Sequence, residues 1–330
     1  MGGIGRGGSR KVLPPAEKRS MSPSSSTPCL LPPLRKGNLR KAPRPVGPLA
    51  GPRRPWRRFL SQVVAALDRS IDKVGGGKLL QRASLKALSF PESRLPLAGA
   101  GPGLDGLRVA FLTDLHAGCS MGPEELEMVF LETAARLPHL VLLGGDLTNT
   151  REREVFFLER ALSRLHPPLG IFAVPGNHDY FEGKGIDSWK AALEEMGVGV
   201  LVNQARRISW RGDSFWIAGV DDLTEGRPDL RKTLKDVGEG EAVILLSHHP
   251  DFFFEAAAAG VPLTLSGHTH GGQIAFLKPL MGHTRFGYWE GWFREAGARL
   301  LVSRGVGCTL LPFRAGAPPE IPILEISAGL

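Results

Sequence analysis

Residues 107–116 read LRVAFLTDLH, an apolar run of strand length that ends in two polar residues, Asp114 and His116. A strand that is buried on both faces of a sheet has such a continuous apolar sequence. In an open α/β sheet, ligands bind beyond the carboxyl ends of the strands. The stretch therefore predicts an α/β fold with a polar site at one edge of a sheet.

Four further apolar runs end in the same way, so the pattern is a series. The residues that follow these runs are Asp146, Asn177 with His178, His248, and His268 with His270. Each stretch alone has an ordinary explanation as a turn, but five in a series do not. Aspartate, asparagine and histidine together are the ligands of a hydrolytic centre with two metal ions. We therefore expect these side chains to converge on a metal site.

The order of apolar and amphipathic stretches predicts the layers of the fold. Strands and helices alternate first and strand-rich sequence follows, which is typical of two packed sheets with helices outside. The predicted helices lie at 124–137, 152–165, 186–196, 228–237 and 252–259. The predicted strands lie at 107–113, 139–143, 171–174, 200–202, 206–210, 215–220, 242–246, 262–265, 299–303 and 320–326.

The basic charge of the chain lies in its first 60 residues. The formal net charge is +8, and residues 1–60 hold 14 Lys and Arg against one acid, Glu17. Residues 1–55 are rich in Pro, Gly and Ser and lack hydrophobic periodicity, which predicts a disordered tail. The expected catalytic domain, residues 91–330, is acidic, so no specific binding of nucleic acid is expected.

The segment between tail and domain, residues 56–90, has two interpretations. Residues 53–60 read RRPWRRFL, and the apolar positions 60, 63, 64, 67, 71 and 74 have the spacing of an amphipathic helix. One interpretation is peripheral contact of residues 53–74 with an anionic membrane surface. The other is a helix packed on the domain with a solvated basic flank.

The sequence favours a cytoplasmic protein, on the inner membrane if the first interpretation holds. Three widely spaced cysteines, Cys29, Cys119 and Cys308, offer no disulfide framework, which suits a reducing compartment. Charged residues at positions 68, 69, 72 and 73 interrupt the apolar region that a twin-arginine export signal needs. Export by that route is therefore disfavoured.

The five stretches resemble the motifs of the calcineurin-like metallophosphoesterase superfamily. Those motifs read Asp-x-His, Gly-Asp, Gly-Asn-His-(Asp/Glu), His and Gly-His-x-His in that order, and all five occur here within residues 107–271. The resemblance implies a four-layer α/β/β/α sandwich with two mixed sheets and helices outside. It also implies a metal-dependent phosphohydrolase.

The resemblance assigns roles to single residues. It implies two divalent cations that share the carboxylate of Asp146 and together ionise a bridging water. The ligands of the first cation would be Asp114, His116, Asp146 and His270. The ligands of the second would be Asp146, Asn177, His248 and His268. His178 would be the acid that faces the leaving group, and the donor types fit Mn²⁺, an Fe/Mn pair or Zn²⁺.

Further motifs narrow the substrate class. Residues 147–149 lack both the arginine of the Ser/Thr protein phosphatases and the tyrosine ligand of purple acid phosphatases. The stretches at 268–274, 303–307 and 318–321 resemble a bacterial, often membrane-associated branch that includes the UDP-2,3-diacylglucosamine hydrolases of lipid A synthesis. This implies a lipid-linked or nucleotide-sugar substrate. Arg304 is then a candidate phosphate contact, or a structural arginine.

Other functions remain open. A cyclic-nucleotide phosphodiesterase or a nuclease would share the metal centre, although the acidic domain argues against a nuclease. A non-catalytic scaffold that binds membrane or nucleic acid has no need of a complete ligand set. The aromatic stretch at 276–293 is either a wall for acyl chains or part of the core. The oligomeric state is left open by the sequence.

Overall fold

The computed structural model describes Gly2 and residues 76–118, 120–180, 185–278, 283–309 and 311–329. The predictions for the tail and for the basic, amphipathic part of the following segment lie outside the described residues and stay predictions. Within the described part of the chain, no helix combines the length and apolar character needed to cross a bilayer.

Two mixed sheets of six strands each form the centre of the fold. Sheet A contains β1 (Glu92–Leu97), β2 (Leu107–Leu112), β3 (Leu140–Leu143), β4 (Ile171–Ala173), β5 (Val198–Val200) and β12 (Ile323–Ala328), in the order β1-β12-β2-β3-β4-β5. Strands β2 to β5 are parallel to one another, and β12 runs antiparallel to β2. The polar residues that follow β2, β3 and β4 are therefore brought to one edge.

Sheet B has a similar parallel centre. It contains β6 (Gln204–Trp210), β7 (Asp213–Gly219), β8 (Val243–Leu246), β9 (Leu263–Ser266), β10 (Gly291–Glu295) and β11 (Ala298–Val302), in the order β10-β11-β9-β8-β7-β6. Strands β7, β8, β9 and β11 are parallel, whereas β6 and β10 are antiparallel edge strands.

The helices cover the outer faces of the sheets. They are α1 (Gly76–Leu85), α2 (Pro123–Ala134), α3 (Glu159–Leu162), α4 (Asp187–Glu195), α5 (Leu230–Thr233) and α6 (Phe253–Ala258). Side chains alternate along β2: Val109 and Phe111 pack in the core between the sheets, and Ala110 and Leu112 pack under helices of sheet A. The predicted α/β/β/α sandwich is confirmed.

Helix α1 belongs to the segment with two interpretations. Its Gln81 and Leu85 are buried, and Arg82 forms ion pairs of 2.6 Å with Glu124 and with Glu125 of α2. Its Leu79 is 71% exposed. The described end of this segment thus packs on the domain and still presents an apolar side chain to its surroundings.

One predicted α-helix is mostly a 3₁₀ helix in the structure. The stretch predicted at 152–165 is a 3₁₀ segment, Glu152–Leu158, followed by the single turn α3. The Glu154 carboxylate accepts hydrogen bonds from three successive backbone N–H groups at residues 149–151. These bonds tie the start of the segment to the preceding loop, which favours the tighter 3₁₀ winding.

Two further elements differ from their predicted bounds for identifiable reasons. The helix predicted at 228–237 is reduced to α5, whose first turn is capped by Asp229 through the Lys232 N–H, and a turn follows it. The strand predicted at 200–202 begins earlier, at Val198, because the positive φ of Gly197 (84°) ends α4 and directs the chain straight into the sheet.

Two strands, β1 and β10, were not predicted. Strand β1 contains Pro96, which lacks the N–H that a central strand needs. Because β1 is an edge strand that pairs only with β12, the missing donor is tolerated. Strand β10 is also at an edge and only partly buried, so its sequence lacks a clear apolar run.

Candidate metal centre

The predicted ligands meet at the edge formed by the carboxyl ends of β2, β3, β4, β8 and β9. Three groups of side chains have ligand atoms within 4.8 Å of one another: Asp114 with His116 and His270, His116 with Asp146 and His178, and Asp146 with His248 and His268. Asn177 joins them, since its Oδ1 lies 3.0 Å from His268 Nδ1. Because the groups share His116 and Asp146, they form one continuous cluster, called the rim cluster below.

The backbone of the rim cluster is strained. Five of its residues have a positive φ: Asp114 (54°), His116 (47°), Asp146 (50°), His268 (70°) and His270 (52°). Each such left-handed residue other than glycine costs on the order of 1–3 kcal/mol and persists only where its surroundings impose it. This backbone turns successive side chains toward one point, as a metal cage requires.

Two glycines allow the loops to approach. A Cβ at Gly176 would overlap Asp146 Oδ1, and a Cβ at Gly267 would overlap Asp114 Oδ2. Only a residue without a side chain leaves these carboxylates room to point into the cluster. The glycines of the Gly-Asn-His-Asp and Gly-His-Thr-His stretches thus have a steric role.

The ring nitrogens in the cluster are placed as cation ligands would be. The Nδ1–H of His248 donates to the Gly144 carbonyl at 2.9 Å, and its buried Nε2 lies 3.2 Å from Asp146 Oδ2 without making a hydrogen bond. His116 Nε2 and His270 Nε2 face each other at 3.0 Å. Buried lone pairs that face one another are unfavourable unless a proton or a cation lies between them. The donor set therefore fits metal ions.

The electrostatics of the cluster indicate a shortage of positive charge. Burial would lower the pKa of His248, but attraction to Asp146 outweighs it and raises that pKa to about 10. Burial raises the pKa of Asp114 to about 7. Burial lowers the pKa of His116 to about 3 and that of His270 well below its usual value. His116 and His270 are therefore neutral, the form of imidazole that binds metals, whereas the His248 ring must lose the proton that Asp146 stabilises before it can bind one.

His178 is held in a defined orientation. Its backbone N–H donates to Asp146 Oδ1 at 2.8 Å, and its Nδ1–H donates to the Asn149 carbonyl at 2.7 Å. Its Nε2 is then left to face the cluster, where the rings of His178 and His116 lie 4.7 Å apart. A protonated Nε2 in this place can donate to a departing oxygen.

Asp179 connects the loops that carry Asp146 and Asn177. Its buried carboxylate accepts hydrogen bonds from the backbone N–H groups of Leu147, Thr148 and Gly176, at 2.9–3.3 Å. Burial raises the pKa of Asp179 to about 6. No role in connecting the loops was assigned to Asp179 from the sequence. Its place next to His178 is the one sequence feature that points to this role.

Part of the aromatic stretch singled out at 276–293 forms a wall beside His268, together with His283, which was not predicted. The ring of His283 lies 5.5 Å from the His268 ring and 6.2 Å from that of Trp289. Two hydrogen bonds anchor this segment: Thr284 Oγ1 to Asp251 Oδ1, and Thr269 Oγ1 to the Trp289 carbonyl, each 2.5 Å. No motif marks His283, since it lies on a loop with no periodic pattern.

Arg304 lies near the rim cluster, but carboxylates surround it. Its guanidinium forms ion pairs with Glu320 and, at 3.4 Å, with Glu290, and its Nε donates to the Pro318 carbonyl at 2.8 Å. All three nitrogens are therefore engaged and the charge is neutralised in place. A contact between Arg304 and substrate stays a prediction.

Comparison with known proteins identifies a phosphoesterase family. The model of the family "Calcineurin-like phosphoesterase" matches residues 107–272. The uncharacterized metallophosphoesterase YkuE of Bacillus subtilis is 31% identical over 82% of this chain and 97% of its own length. An uncharacterized metallophosphoesterase of Aquifex aeolicus is 34% identical over 67% of this chain and 85% of its own length. A protein of Bos taurus named "Transmembrane protein with metallophosphoesterase domain" is 30% identical over 75% of this chain and 58% of its own length.

Proposed function

The chain belongs to the calcineurin-like phosphoesterase family and is a metal-dependent phosphohydrolase, and we propose that it hydrolyses phosphodiester or pyrophosphate bonds with two metal ions. One observation carries this proposal. A single, largely buried cluster contains the predicted ligands, and the carboxylate of Asp146 is common to two of its three groups. A shared carboxylate is the feature that distinguishes a paired site from two separate ones.

The proposed ligand sets divide at Asp146. Asp114, His116, Asp146 and His270 would hold the first cation. Asp146, Asn177, His248 and His268 would hold the second. Mn²⁺ is our first choice, with an Fe/Mn pair or Zn²⁺ as alternatives for the same donor types. When bound, such a pair supplies a water of lowered pKa as nucleophile and neutralises charge on the phosphoryl oxygens.

The remaining chemistry falls to residues of the chain. Asp146 is oriented by the His178 N–H, so the shared carboxylate and the proposed acid belong to one hydrogen-bonded unit. The Asn149 carbonyl fixes the His178 ring, and a proton on its Nε2 would pass to the leaving oxygen.

For the substrate we propose a lipid-linked or nucleotide-sugar phosphoester, such as UDP-2,3-diacylglucosamine. The aromatic wall near His268 and the side chain of Phe276, which is 77% exposed, support an apolar substrate group. Exposed Leu79 on α1 supports peripheral membrane contact through the adjoining residues 53–74. A cyclic-nucleotide phosphodiesterase or a nuclease with the same centre is the alternative.

A substrate panel tests the proposal. Purified protein with Mn²⁺ is incubated with bis(p-nitrophenyl) phosphate, UDP-2,3-diacylglucosamine and cyclic nucleotides, with and without detergent micelles. We expect hydrolysis of diesters and pyrophosphates, and a micelle-dependent rate for the lipid substrate. A metal-loaded protein that is inert toward every phosphodiester and pyrophosphate would contradict the proposal. Salt-sensitive binding of nucleic acid, lost on deletion of residues 1–58, would instead support a scaffold.

A further inference from the structure

Arg314 lies directly behind the rim cluster, and its guanidinium uses all three nitrogens there. Nε donates to the Gly307 carbonyl at 2.9 Å, and Nη2 donates to the same oxygen at 2.5 Å. Nη1 donates to the carbonyls of His270 at 3.3 Å and Ala317 at 3.2 Å. Nη2 also lies 3.2 Å from His270 Nδ1. One side chain thus contacts both the backbone and the ring of a proposed ligand.

Gly307 extends this connection to a second proposed ligand. Its backbone N–H donates to the Asp114 carbonyl at 2.7 Å, and a Cβ at this position would overlap the Leu115 carbonyl. Gly307 therefore lies flat against the turn that carries Asp114. Arg314 holds the other side of Gly307, so it connects the Asp114 turn to His270. Both residues belong to the same proposed set, that of the first cation.

Arg314 differs from Arg304 in what it contacts. Two carboxylates neutralise Arg304, whereas the hydrogen-bond acceptors of Arg314 described above are carbonyl oxygens and a ring nitrogen. The planar fork, with donors in several fixed directions, is the property that this position uses. A lysine offers one nitrogen and cannot reach the carbonyls of Gly307 and His270 in the same way.

We propose that Arg314 is a positioning residue for the first cation. It holds His270 and the Asp114 turn at the separation at which they bind a metal ion together, while the ligands of the second cation do not depend on it. This inference rests on the proposed function, because it presupposes that His270 and Asp114 bind metal. Sequence patterns do not indicate the role, since Arg314 lies 44 residues from His270.

Titration of the metal-free protein with Mn²⁺ tests the inference. Binding is followed by calorimetry and by electron paramagnetic resonance for the wild type, Arg314→Met, Arg314→Lys and His270→Ala. The matched control is Arg299→Met, since within the described part of the chain the Arg299 guanidinium donates to the Pro96 carbonyl, away from the rim cluster. The wild type and the control are expected to bind two equivalents alike.

The expected result is a selective loss. In Arg314→Met one equivalent should keep its affinity within about threefold, and the other should weaken tenfold or more. Arg314→Lys should weaken the same equivalent less. The electron paramagnetic resonance spectrum of Arg314→Met with one ion bound should match that of His270→Ala. A double variant with both Arg314→Met and His270→Ala should bind Mn²⁺ no more weakly than His270→Ala alone.

Several results would overturn the inference. Wild-type affinity for both equivalents in Arg314→Met would do so, and so would equal weakening of both equivalents. Near-ultraviolet circular dichroism of the metal-free proteins shows whether the variants fold. If Arg314→Met does not fold, Arg314→Lys decides by the same criterion, and retention of both wild-type affinities contradicts the role. A wild type that takes up no divalent ion would instead refute the proposed function itself.

Discussion

The two sheets contribute unlike halves to the rim cluster. Sheet A supplies two aspartates, an asparagine and two histidines from the ends of β2, β3 and β4, and sheet B supplies three histidines from the ends of β8 and β9. The sheet A half is braced by its own loops, since Asp179 connects the turns around Asp146 and Asn177. The sheet B half is braced by distant chain, through Thr284, Trp289 and Arg314.

The two halves differ in where their braces lie along the chain. In the sheet A half, Asp179 is adjacent to His178 and reaches back 31 residues to Thr148, and Gly307 holds the Asp114 turn from the far end of the chain. The histidines of sheet B depend on residues that come as many as 44 positions later in the chain. Substitutions of the sheet A residues of the rim cluster should therefore change the rate of the chemical step directly. Substitutions of the residues that brace the sheet B histidines should act by moving those histidines.

The strongest test of the comparison is the residue that joins the halves. Asp146→Ala is expected to lower turnover of bis(p-nitrophenyl) phosphate by about 10⁴-fold or more. The reason is that several kcal/mol of transition-state stabilisation depend on the two metal ions that the Asp146 carboxylate is proposed to bind in common. Mn²⁺ titration should show at most one tight equivalent. Two tight equivalents in this variant would show that the halves bind metal independently.

His178 tests the sheet A half alone. His178→Ala should keep both metal equivalents and lose about 10²–10⁴-fold in kcat on a substrate with a poor leaving group. The loss should be much smaller for p-nitrophenolate, which departs without a proton. Equal losses on both substrates would contradict a role as general acid and would point to positioning of Asp146.

The pH dependence of stability tests the brace within sheet A. The pKa of Asp179 is raised to about 6, so the folded state binds its proton more tightly than the unfolded state does. Its contribution to stability is full below about pH 4 and is lost as the pH rises through 6. Relative to Asp179→Asn, the metal-free wild type should therefore lose up to about 3 kcal/mol of unfolding free energy over that range. Urea unfolding in chelator measures it, and a constant difference would refute the raised pKa.

Substitution of Asp251, which anchors the wall beside His268, should have the smallest effect on activity and stability. Asp251→Asn leaves one acceptor in place but disturbs the contacts of Asp251 with Thr284 and with the Arg285 N–H. We expect a loss of about 1 kcal/mol in stability and a severalfold rise in KM with kcat retained, because the wall beside His268 loosens. A fall in kcat with unchanged KM would show that the wall acts on the chemistry and not on substrate binding.

The sequence predicted the features that local patterns mark and missed those that depend on contacts between distant residues. The sandwich and the residues of the rim cluster were predicted because buried parallel strands read as apolar runs, and their polar ends share one edge. Strand β1 was missed because Pro96 is tolerated only at a sheet edge, a fact of the tertiary fold. Arg314 and His283 were missed because each acts on residues far away in sequence, where no period or motif marks it.

Arg304 and Arg314 show the same limit on a single side chain type. The sequence singles out Arg304 within a glycine-rich stretch, yet the structure pairs it with Glu290 and Glu320. Arg314, in an unremarked stretch, contacts His270. Which arginine pairs with two carboxylates and which contacts a proposed ligand depends on how distant parts of the chain fold together, and the local sequence does not state that.

Diffraction from crystals grown with Mn²⁺, recorded at a wavelength where manganese scatters anomalously, tests the central claim most directly. The account predicts two anomalous peaks about 3.5–4 Å apart, on either side of the Asp146 carboxylate, one next to His270 and the other next to His248. A single peak, a peak outside the rim cluster or no peak at all would contradict it.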